Sequence, residues 1–335
     1  MSNELVSIII PCFNAARWLK EAVDSCLNQT YSAIEIIVID DGSTDESLDI
    51  IKSYDDKIIW ETGENRGGNH ARNSGFALSK GKYIQFLDAD DYILPEKIAR
   101  QVSFLEQTGV DIVYGDWRHR QHLPSGKTFL EDIKLSGEQE DILESLLADW
   151  WVSPACILFT REIVEKSEGW DEDLKVGQDR DFFLSLVMDG AEVSYQPGCY
   201  SVYRRYGKVT VSGSSPLKYL ESHYQIVQKA ERKLLQQGRF TSKYRFALAQ
   251  SYFTMARTYL TIKPDKYYQF KNKALLLNPE FKPNSEHRTI AYSLVQNLIG
   301  FNNLEKIVSS IKLLKAKIET SLIKPNFKFH HKTKY

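Results

Sequence analysis

The first 120 residues alternate between two hydrophobic periods. Short apolar runs at residues 5–10 and 34–39 are typical of strands buried on both faces. Residues 16–29 between them carry apolar side chains three and four positions apart, which predicts a helix. The rhythm continues with strands at 58–60 and 83–87 and helices at 69–79 and 95–107. This pattern predicts an α/β fold built from βαβ units, with a Rossmann-like, mainly parallel sheet.

Beyond residue 137 the alternation of strand and helix patterns becomes less regular. Residues 209–216 are rich in serine and glycine, which indicates a loop or a domain boundary, and the following segments are almost entirely helical. We therefore predict one α/β domain over residues 1–212 and a helical C-terminal region over 213–335. Within the first domain, Ser43 and Glu46 have the spacing of a capping box that opens a helix.

The composition is that of a soluble globular protein. Of the 335 residues 42% are hydrophobic and 26% are charged, and 43 basic side chains against 44 acidic ones give a net charge of −1. This balance gives no reason to expect a nucleic acid partner. The apolar runs are too short for a membrane span, and we expect no secretory signal. Four scattered cysteines without a CxxC pair indicate reduced thiols in a cytoplasmic protein.

Acidic residues follow two of the predicted strands. Asp88 and Asp90 come directly after the apolar run 83–87, and Asp40 and Asp41 end the run that begins at residue 34. Parallel strands present their carboxyl ends at one edge of the sheet, where ligands bind. Alternate carboxylates there suit Mg²⁺ or Mn²⁺ with phosphate oxygens as further ligands, although a solvated acidic loop gives the same pattern. Two acid clusters at one edge favour the metal–diphosphate site.

Six motifs in order resemble family 2 glycosyltransferases with a GT-A fold, over roughly residues 4–210. They are VSIIIPCFN at 6–14, VIDDGSTD at 38–45, NRGG at 65–68, ARNSG at 71–75, GKYI at 81–84 and FLDADD at 86–91. The resemblance implies an inverting enzyme that uses a nucleotide-diphosphate sugar, most commonly a UDP-sugar. It says little about the sugar or the acceptor.

The resemblance also assigns roles to residues of the donor site. Pro11, Phe13 and Asp41 are expected to line the base pocket. Arg72 is expected to hold the nucleotide, although a surface helix arginine is the alternative. Asp88, followed by Ala89, is expected to face the ribose and sugar, and Asp90 to ligate Mn²⁺ or Mg²⁺.

An inverting enzyme also needs a base opposite the leaving phosphate. Asp179 stands at the second position of the family's acidic pair, while Gln178 replaces the commoner glutamate in front of it. Asp179 is therefore the expected base, with an ordinary helix-start acid as the alternative. Trp151 lies where the family builds its acceptor pocket, with a core role equally open, and Gln178 is also expected near the acceptor. Arg204 is expected to contact the diphosphate.

The sequence thus predicts an inverting, metal-dependent glycosyltransferase that adds one sugar to a glycan or a lipid-linked glycan in surface polysaccharide or glycoconjugate synthesis. A catalytically silent sugar-nucleotide or glycan-binding module is one alternative. A sugar nucleotidyltransferase is the other, but the G-x-G-T-R loop that it requires is replaced by residues 11–14. The Gln-x-x-Arg-Trp stretch of processive members is also missing.

Two further features have less specific meanings. His119 and His122 lack an evident third zinc ligand and are expected in a surface loop. In residues 301–335, eight lysines against two glutamates accompany apolar residues at helical spacing, which are Ile307, Ile311, Leu314, Ile318 and Leu322. This basic amphipathic helix is expected either to lie on the anionic inner face of the cell membrane or to pack on the main domain.

Overall fold

This computed structural model describes residues 3–206, 215–283 and 290–322. Contacts divide the chain into two compact units, Met1–Arg239 and Phe240–Tyr335. The sequence placed the boundary at residue 212, which lies outside the described residues. The helix that begins at Pro216 belongs to the first unit by its contacts. The division between the units therefore lies 27 residues later than predicted.

Within the described residues the first unit contains one nine-stranded sheet. Its strands are β1 Val6–Cys12, β2 Ile34–Asp40, β3 Ile59–Thr62, β4 Tyr83–Phe86, β5 Tyr92–Ile93, β6 Ile112–His122, β7 Thr128–Leu130, β8 Ile157–Thr160 and β9 Val193–Tyr206. The spatial order is β3-β2-β1-β4-β8-β6-β9-β5, with β7 beside β6. The first four strands run parallel, as do β6 and β9, while β8 is antiparallel to both of its neighbours.

Eight α-helices of the first unit accompany this sheet in the described part of the chain. They are α1 Ala16–Leu27, α2 Ser47–Lys52, α3 Gly68–Leu78, α4 Lys97–Thr108, α5 Ile142–Leu147, α6 Arg161–Glu165, α7 Gln178–Met188 and α8 Pro216–Gln236. The predicted alternation of strands and helices over the first 120 residues is confirmed. The capping-box prediction is wrong: α2 begins at Ser47, and the Ser43 hydroxyl accepts a hydrogen bond from the Asn14 backbone N–H instead.

The core lies on both faces of the parallel strands, because β1 and β2 are apolar at consecutive positions. Val6, Ile8, Ile9 and Ile10 are fully buried. Helix α3 lies directly on β1 at Gly75, where an added Cβ would stand 2.4 Å from the Ile9 Cγ2 atom. The start of α3 lies at the carboxyl end of β2, because the backbone N–H of Gly67 donates to the Asp41 carboxylate.

Helix α8 packs on α7 through ion pairs. Lys229 Nζ lies 2.8 Å from Asp181, and Lys233 Nζ lies 2.6 Å from Asp189. The apolar side of α8 is buried as well, at Leu220, Ile226 and Leu234. The first unit is therefore completed by a helix that the sequence assigned to the C-terminal region.

The second unit contains helices α9 Ser242–Ile262, α10 Pro264–Leu277, α11 Ile290–Ile299 and α12 Phe301–Leu322. Glu305 of α12 is buried, accepts hydrogen bonds from the Tyr267 and Tyr292 hydroxyls, and pairs with Arg257 of α9. None of the described helices combines the length and hydropathy required to cross a bilayer.

The predicted helix near the C-terminus is present as α12. Its buried face carries Leu304, Glu305 and Ser309, while Ile307, Ile311 and Leu314 of the predicted apolar stripe are 49%, 61% and 61% exposed. The side chains of Ile318 and Leu322, and residues 323–335, lie outside the described part of the chain.

Candidate active site

The carboxyl ends of β1, β2 and β4 meet at one edge of the sheet. Cys12 of β1 pairs with Asp40 of β2, and Ile9 pairs with Phe86 at the end of β4. The segments that follow these strands therefore lie side by side, as the sequence predicted. Pro11 is partly buried there, and the Phe13 side chain is 50% exposed. An exposed aromatic ring at this edge can contact a planar ligand.

Asp41 is held by the backbone of the loop before α3. Its carboxylate oxygens accept hydrogen bonds from the backbone N–H groups of Arg66 and Gly67, at 2.7 and 2.8 Å. The side chain is buried, so its orientation is fixed. Each carboxylate oxygen retains a second lone pair, which leaves Asp41 able to accept another hydrogen bond.

Three carboxylates cluster in the turn after β4. One oxygen from each of Asp88, Asp90 and Asp91 lies within 4.8 Å of the others, with Ala89 buried between them. Burial raises the pKa of Asp90 and Asp91, and the neighbouring carboxylates raise it further. Hard oxygen ligands that repel one another suit Mg²⁺ or Mn²⁺. The sequence selected Asp90 alone as the expected metal ligand, and the structure adds Asp91 of the same DADD motif to the cluster.

Arg72 of α3 connects this acidic turn with the rest of the site. Its Nη2 atom lies 2.6 Å from Asp88 Oδ1, and its guanidinium carbon lies 4.6 Å from the centre of the Trp170 ring. The arginine is buried. It is therefore part of the site and not a surface helix residue, the alternative that the sequence left open.

Arg204 of β9 supports the acidic turn from inside the protein. Its backbone N–H donates to Asp91 Oδ1 at 2.7 Å, and its Nε donates to the Asp90 backbone carbonyl at 2.7 Å. A third group, Nη2, pairs with Glu21 at 2.7 Å, and the guanidinium stacks over Trp18. With its side chain 1% exposed, Arg204 binds protein groups in this structure and is not brought to an open surface.

Asp179 lies in the first turn of α7, after Gly177, whose φ is +75°. Its Oδ2 atom accepts a 2.6 Å hydrogen bond from the Trp151 indole N–H. Burial raises the pKa of Asp179, the Trp151 hydrogen bond lowers it, and the charge of Asp88 raises it. Gln178, the first residue of α7, is partly buried beside it. The expected base and its two expected neighbours are thus brought together.

Aromatic side chains fill the space between Asp179 and strands β6 and β9. The Trp151 ring lies 5.1 Å from Trp117 and 6.2 Å from Tyr203, edge to face. Burial raises the pKa of Tyr203, and the carboxylates of the acidic turn and of Asp179 raise it further. Tyr203 is therefore subject to the charges of both acidic groups. No role was predicted for Tyr203 from the sequence. Because side chains alternate along a strand, its side chain lies on the opposite face of β9 from that of Arg204.

The surface-loop prediction for His119 and His122 is wrong. Both lie on β6, where His119 is buried with its Nδ1 atom 2.7 Å from Glu131 Oε2. The His122 Nε2 atom lies 3.2 Å from Arg204 Nη1. The two histidines therefore have separate partners, Glu131 and Arg204, which lie far from them in the sequence and are brought close by the sheet.

Comparison with known proteins now places the chain in a family. Residues 7–206 match the model of glycosyl transferase family 2, and the chain belongs to that family. An uncharacterized glycosyltransferase of Rickettsia prowazekii is 38% identical over 187 residues, which are 55% of this chain and 59% of the relative. An Escherichia coli UDP-Glc:α-D-GlcNAc-diphosphoundecaprenol β-1,3-glucosyltransferase is 43% identical over 116 residues, 34% of this chain and 46% of that enzyme.

The aligned stretches span about half the length of these curated relatives. Among solved structures, residues 1–349 of Staphylococcus aureus TarS in complex with UDP-GlcNAc match with a TM-score of 0.64 at 19% identity. The match covers 82% of each chain. At this identity the likeness concerns the fold. Together with the family match it confirms the predicted GT-A α/β fold with a helical C-terminal extension.

Proposed function

We propose that this protein is an inverting glycosyltransferase that moves one sugar from a nucleotide-diphosphate sugar to an acceptor hydroxyl. The observation that carries the proposal is the pairing of two acidic groups in one site. The turn Asp88–Asp91 gathers three carboxylates, and Asp179 stands apart from them but within their electrostatic reach. Displacement at an anomeric carbon needs positive charge at the leaving diphosphate, which a cation held by carboxylates would supply, and a base at the incoming hydroxyl.

The donor is proposed to bind at the ends of β1, β2 and β4. Pro11 and Phe13 would contact the base, and Asp41 would accept a hydrogen bond from it. Arg72 would hold the nucleotide, and Asp88 would face the ribose and sugar. UDP is the proposed nucleotide, because the names of the Escherichia coli relative and of the TarS complex contain UDP-sugars.

Asp90 is proposed as the direct metal ligand, with Asp88 and Asp91 beside it. A Mn²⁺ or Mg²⁺ ion bound there would neutralise negative charge on the departing diphosphate. The three crowded carboxylates fit such an ion, because repulsion between them decreases when a cation shares their oxygens. Arg204 holds the turn in place through the Asp90 carbonyl and the Asp91 carboxylate.

Asp179 is proposed as the general base. The acceptor oxygen forms a bond to the anomeric carbon as its proton passes to Asp179, while the bond between that carbon and the diphosphate oxygen breaks. The diphosphate keeps the bonding electron pair. A pKa raised by burial makes Asp179 a stronger base than an exposed aspartate, while Arg72 counteracts part of that rise.

A glycan or lipid-linked glycan is the proposed acceptor, in the synthesis of a surface polysaccharide or glycoconjugate. The diphosphoundecaprenol acceptor in the name of the Escherichia coli relative supports a lipid-linked glycan. Gln178 lies beside the base, where an acceptor hydroxyl would approach. Trp151 is proposed to contact the acceptor. It also donates a hydrogen bond to Asp179, and that contact gives Trp151 a second role.

We further propose that α12 holds the protein at the inner face of the cell membrane. Exposed Ile307, Ile311 and Leu314 together with exposed Lys306 and Lys312 support a peripheral contact with anionic lipid. Co-sedimentation with phosphatidylglycerol vesicles tests this. Binding lost in the double variant Ile311→Ser/Leu314→Ser supports it, and equal binding of that variant contradicts it.

A thermal-shift panel tests the proposed function. UDP, GDP, CDP and dTDP are added with and without Mn²⁺, and at least one is expected to stabilise the protein only when the metal is present. Stabilisation without any turnover of the matching sugar nucleotide would favour the catalytically silent binding module. No shift with any nucleotide at millimolar concentration would contradict the donor site.

A further inference from the structure

The segment between α5 and β8 is tied twice to the start of α7. Trp151 donates its indole N–H to Asp179 Oδ2 at 2.6 Å. Two residues before it, Asp149 Oδ1 lies 2.7 Å from Nη2 of Arg180, the residue that follows Asp179. Two consecutive residues of α7 are therefore linked to two residues of one short segment.

The Asp149–Arg180 ion pair is shielded from water, and the Trp151–Asp179 hydrogen bond is partly buried. The Arg180 side chain is 8% exposed and that of Asp149 is 19% exposed. Arg180 also donates to the Leu146 carbonyl at 2.9 Å, near the end of α5. His223 of α8 approaches Asp149 to 3.2 Å. A buried, multiply bonded ion pair restricts orientation more than a surface pair, because water does not compete for its hydrogen bonds.

The backbone of this segment adopts an uncommon conformation. Asp149 has a φ of +77°, in the left-handed region that non-glycine residues rarely occupy. Residues in this conformation persist where surrounding contacts hold them. Here the strained residue carries the carboxylate that binds Arg180, and it directs the chain so that Trp151 reaches Asp179.

We infer that residues 149–151 position the general base: Trp151 fixes the orientation of the Asp179 carboxylate through Oδ2, while Asp149 fixes the same helical turn through Arg180. This inference rests on the proposed function of Asp179. Trp151 is thereby a positioning residue, in addition to any contact with the acceptor. The aromatic rings of Trp117 and Tyr203 hold the indole plane that presents its N–H.

A substitution can remove the hydrogen bond while keeping most of the ring packing. Trp151→Phe loses the indole N–H but leaves an aromatic ring against Trp117 and Tyr203. Because a hydrogen bond to the ionised carboxylate favours that form, its loss raises the pKa of Asp179. The titratable side chains that interact with Asp179 are unchanged in this variant; they are Asp88, Arg72, Tyr203 and Tyr219. Trp60→Phe on β3 is the matched control, far along the sheet from the base.

The indole signals of the full chain labelled with ¹⁵N tryptophan test the contact without any substrate. The chain has six tryptophans, and the signal that disappears in Trp151→Phe belongs to Trp151. Asp179→Asn is expected to shift this signal strongly, and Asp149→Asn to shift it less, while the Trp60 signal stays in place. A Trp151 signal that Asp179→Asn leaves unchanged overturns the inference.

Turnover then tests the positioning role. The probe is the sugar nucleotide with the largest Mn²⁺-dependent thermal shift, with water as acceptor. Trp151→Phe is expected to lower kcat by about 10²-fold with little change in donor KM, and to move the acidic limb of the pH profile upward. Unchanged kcat and pH profile in Trp151→Phe, with Asp179→Asn inactive, overturn this inference alone. Full activity of Asp179→Asn overturns the proposed function itself.

Discussion

Arg72 of α3 and Asp88 of the acidic turn form a 2.6 Å ion pair at the carboxyl end of β4. The pair joins the helix that packs on β1 to the turn that gathers three carboxylates. Both charges also act on Asp179, whose pKa Asp88 raises and Arg72 lowers. The candidate donor side of the site, with Arg72 and Asp88, is therefore electrostatically coupled to Asp179 on the candidate acceptor side.

Replacing Arg72 with lysine should weaken nucleotide binding. Lysine keeps the charge, but it loses the planar fork that can contact Asp88 and a phosphate at once. We expect the affinity for UDP with Mn²⁺ to fall about 10-fold, which corresponds to about 1.4 kcal/mol. Isothermal titration measures the change, with Arg232→Lys on the exposed face of α8 as control. Equal affinities of Arg72→Lys and wild type would contradict a role of Arg72 in donor binding.

Asp90→Asn should separate metal binding from folding. The amide keeps the shape of the side chain but removes one negative charge from the crowded turn. We expect the Mn²⁺-dependent part of the nucleotide thermal shift to disappear, while the melting temperature of the free protein stays equal or rises because repulsion decreases. A Mn²⁺ effect as large as that of the wild type would exclude Asp90 as the ligand.

Lys97 offers a test of the core under α4. Its side chain is fully buried, its Nζ donates to the Ile157 carbonyl at 3.0 Å, and burial lowers its pKa to about 7 from 10.5. Between these values the unfolded chain binds more protons than the folded protein, so this residue makes stability increase with pH. Below about pH 7 the cost of burying the charge is fully present.

Lys97→Met should therefore be stabilised relative to wild type most strongly at and below neutral pH. The advantage is expected to shrink by about 1.4 kcal/mol per pH unit between about pH 7.5 and 9. Urea unfolding of both proteins across this range provides the difference curve. A difference that is independent of pH would show that Lys97 keeps an ordinary pKa in the folded protein.

Gly75→Ala should destabilise the first unit. The new Cβ would stand 2.4 Å from Ile9 Cγ2, so α3 or β1 must move. Overpacking of this kind costs about 1–3 kcal/mol of unfolding free energy. Gly63→Ala, where no heavy atom lies within 4 Å of the added Cβ, is the control and should change little. Denaturant unfolding that gives the same stability for both variants would contradict the close packing of α3 on β1.

Local sequence patterns were sufficient to predict the strands of the parallel half of the sheet. The strands β1, β2 and β4 are short apolar runs with polar residues directly after them, so neighbouring positions in the chain determine both the element and its ligand-binding end. The acidic turn and Asp41 could be located for the same reason. Asp91 was overlooked because the sequence alone does not show that its carboxylate turns toward the other two.

Long-range packing determined the features that the sequence did not predict. Arg204 is buried because β9 pairs with β6 and lies against Glu21 and Trp18, residues more than 180 positions earlier. Trp151 reaches Asp179 from 28 residues away through a left-handed turn at Asp149. Helix α8 joins the first unit through Lys229 and Asp181, 48 residues apart. None of these pairings has a local signature.

The most direct test of the account is the turnover of Asp179→Asn beside its nucleotide affinity. Both are measured with Mn²⁺ and with the sugar nucleotide that the thermal-shift panel identifies. A loss of general-base catalysis predicts a fall in kcat of about 10²–10⁴-fold, with UDP affinity within about 2-fold of wild type. Asn keeps the size of the side chain and can still accept from Trp151. Wild-type turnover in this variant would contradict the assignment of Asp179 as the base.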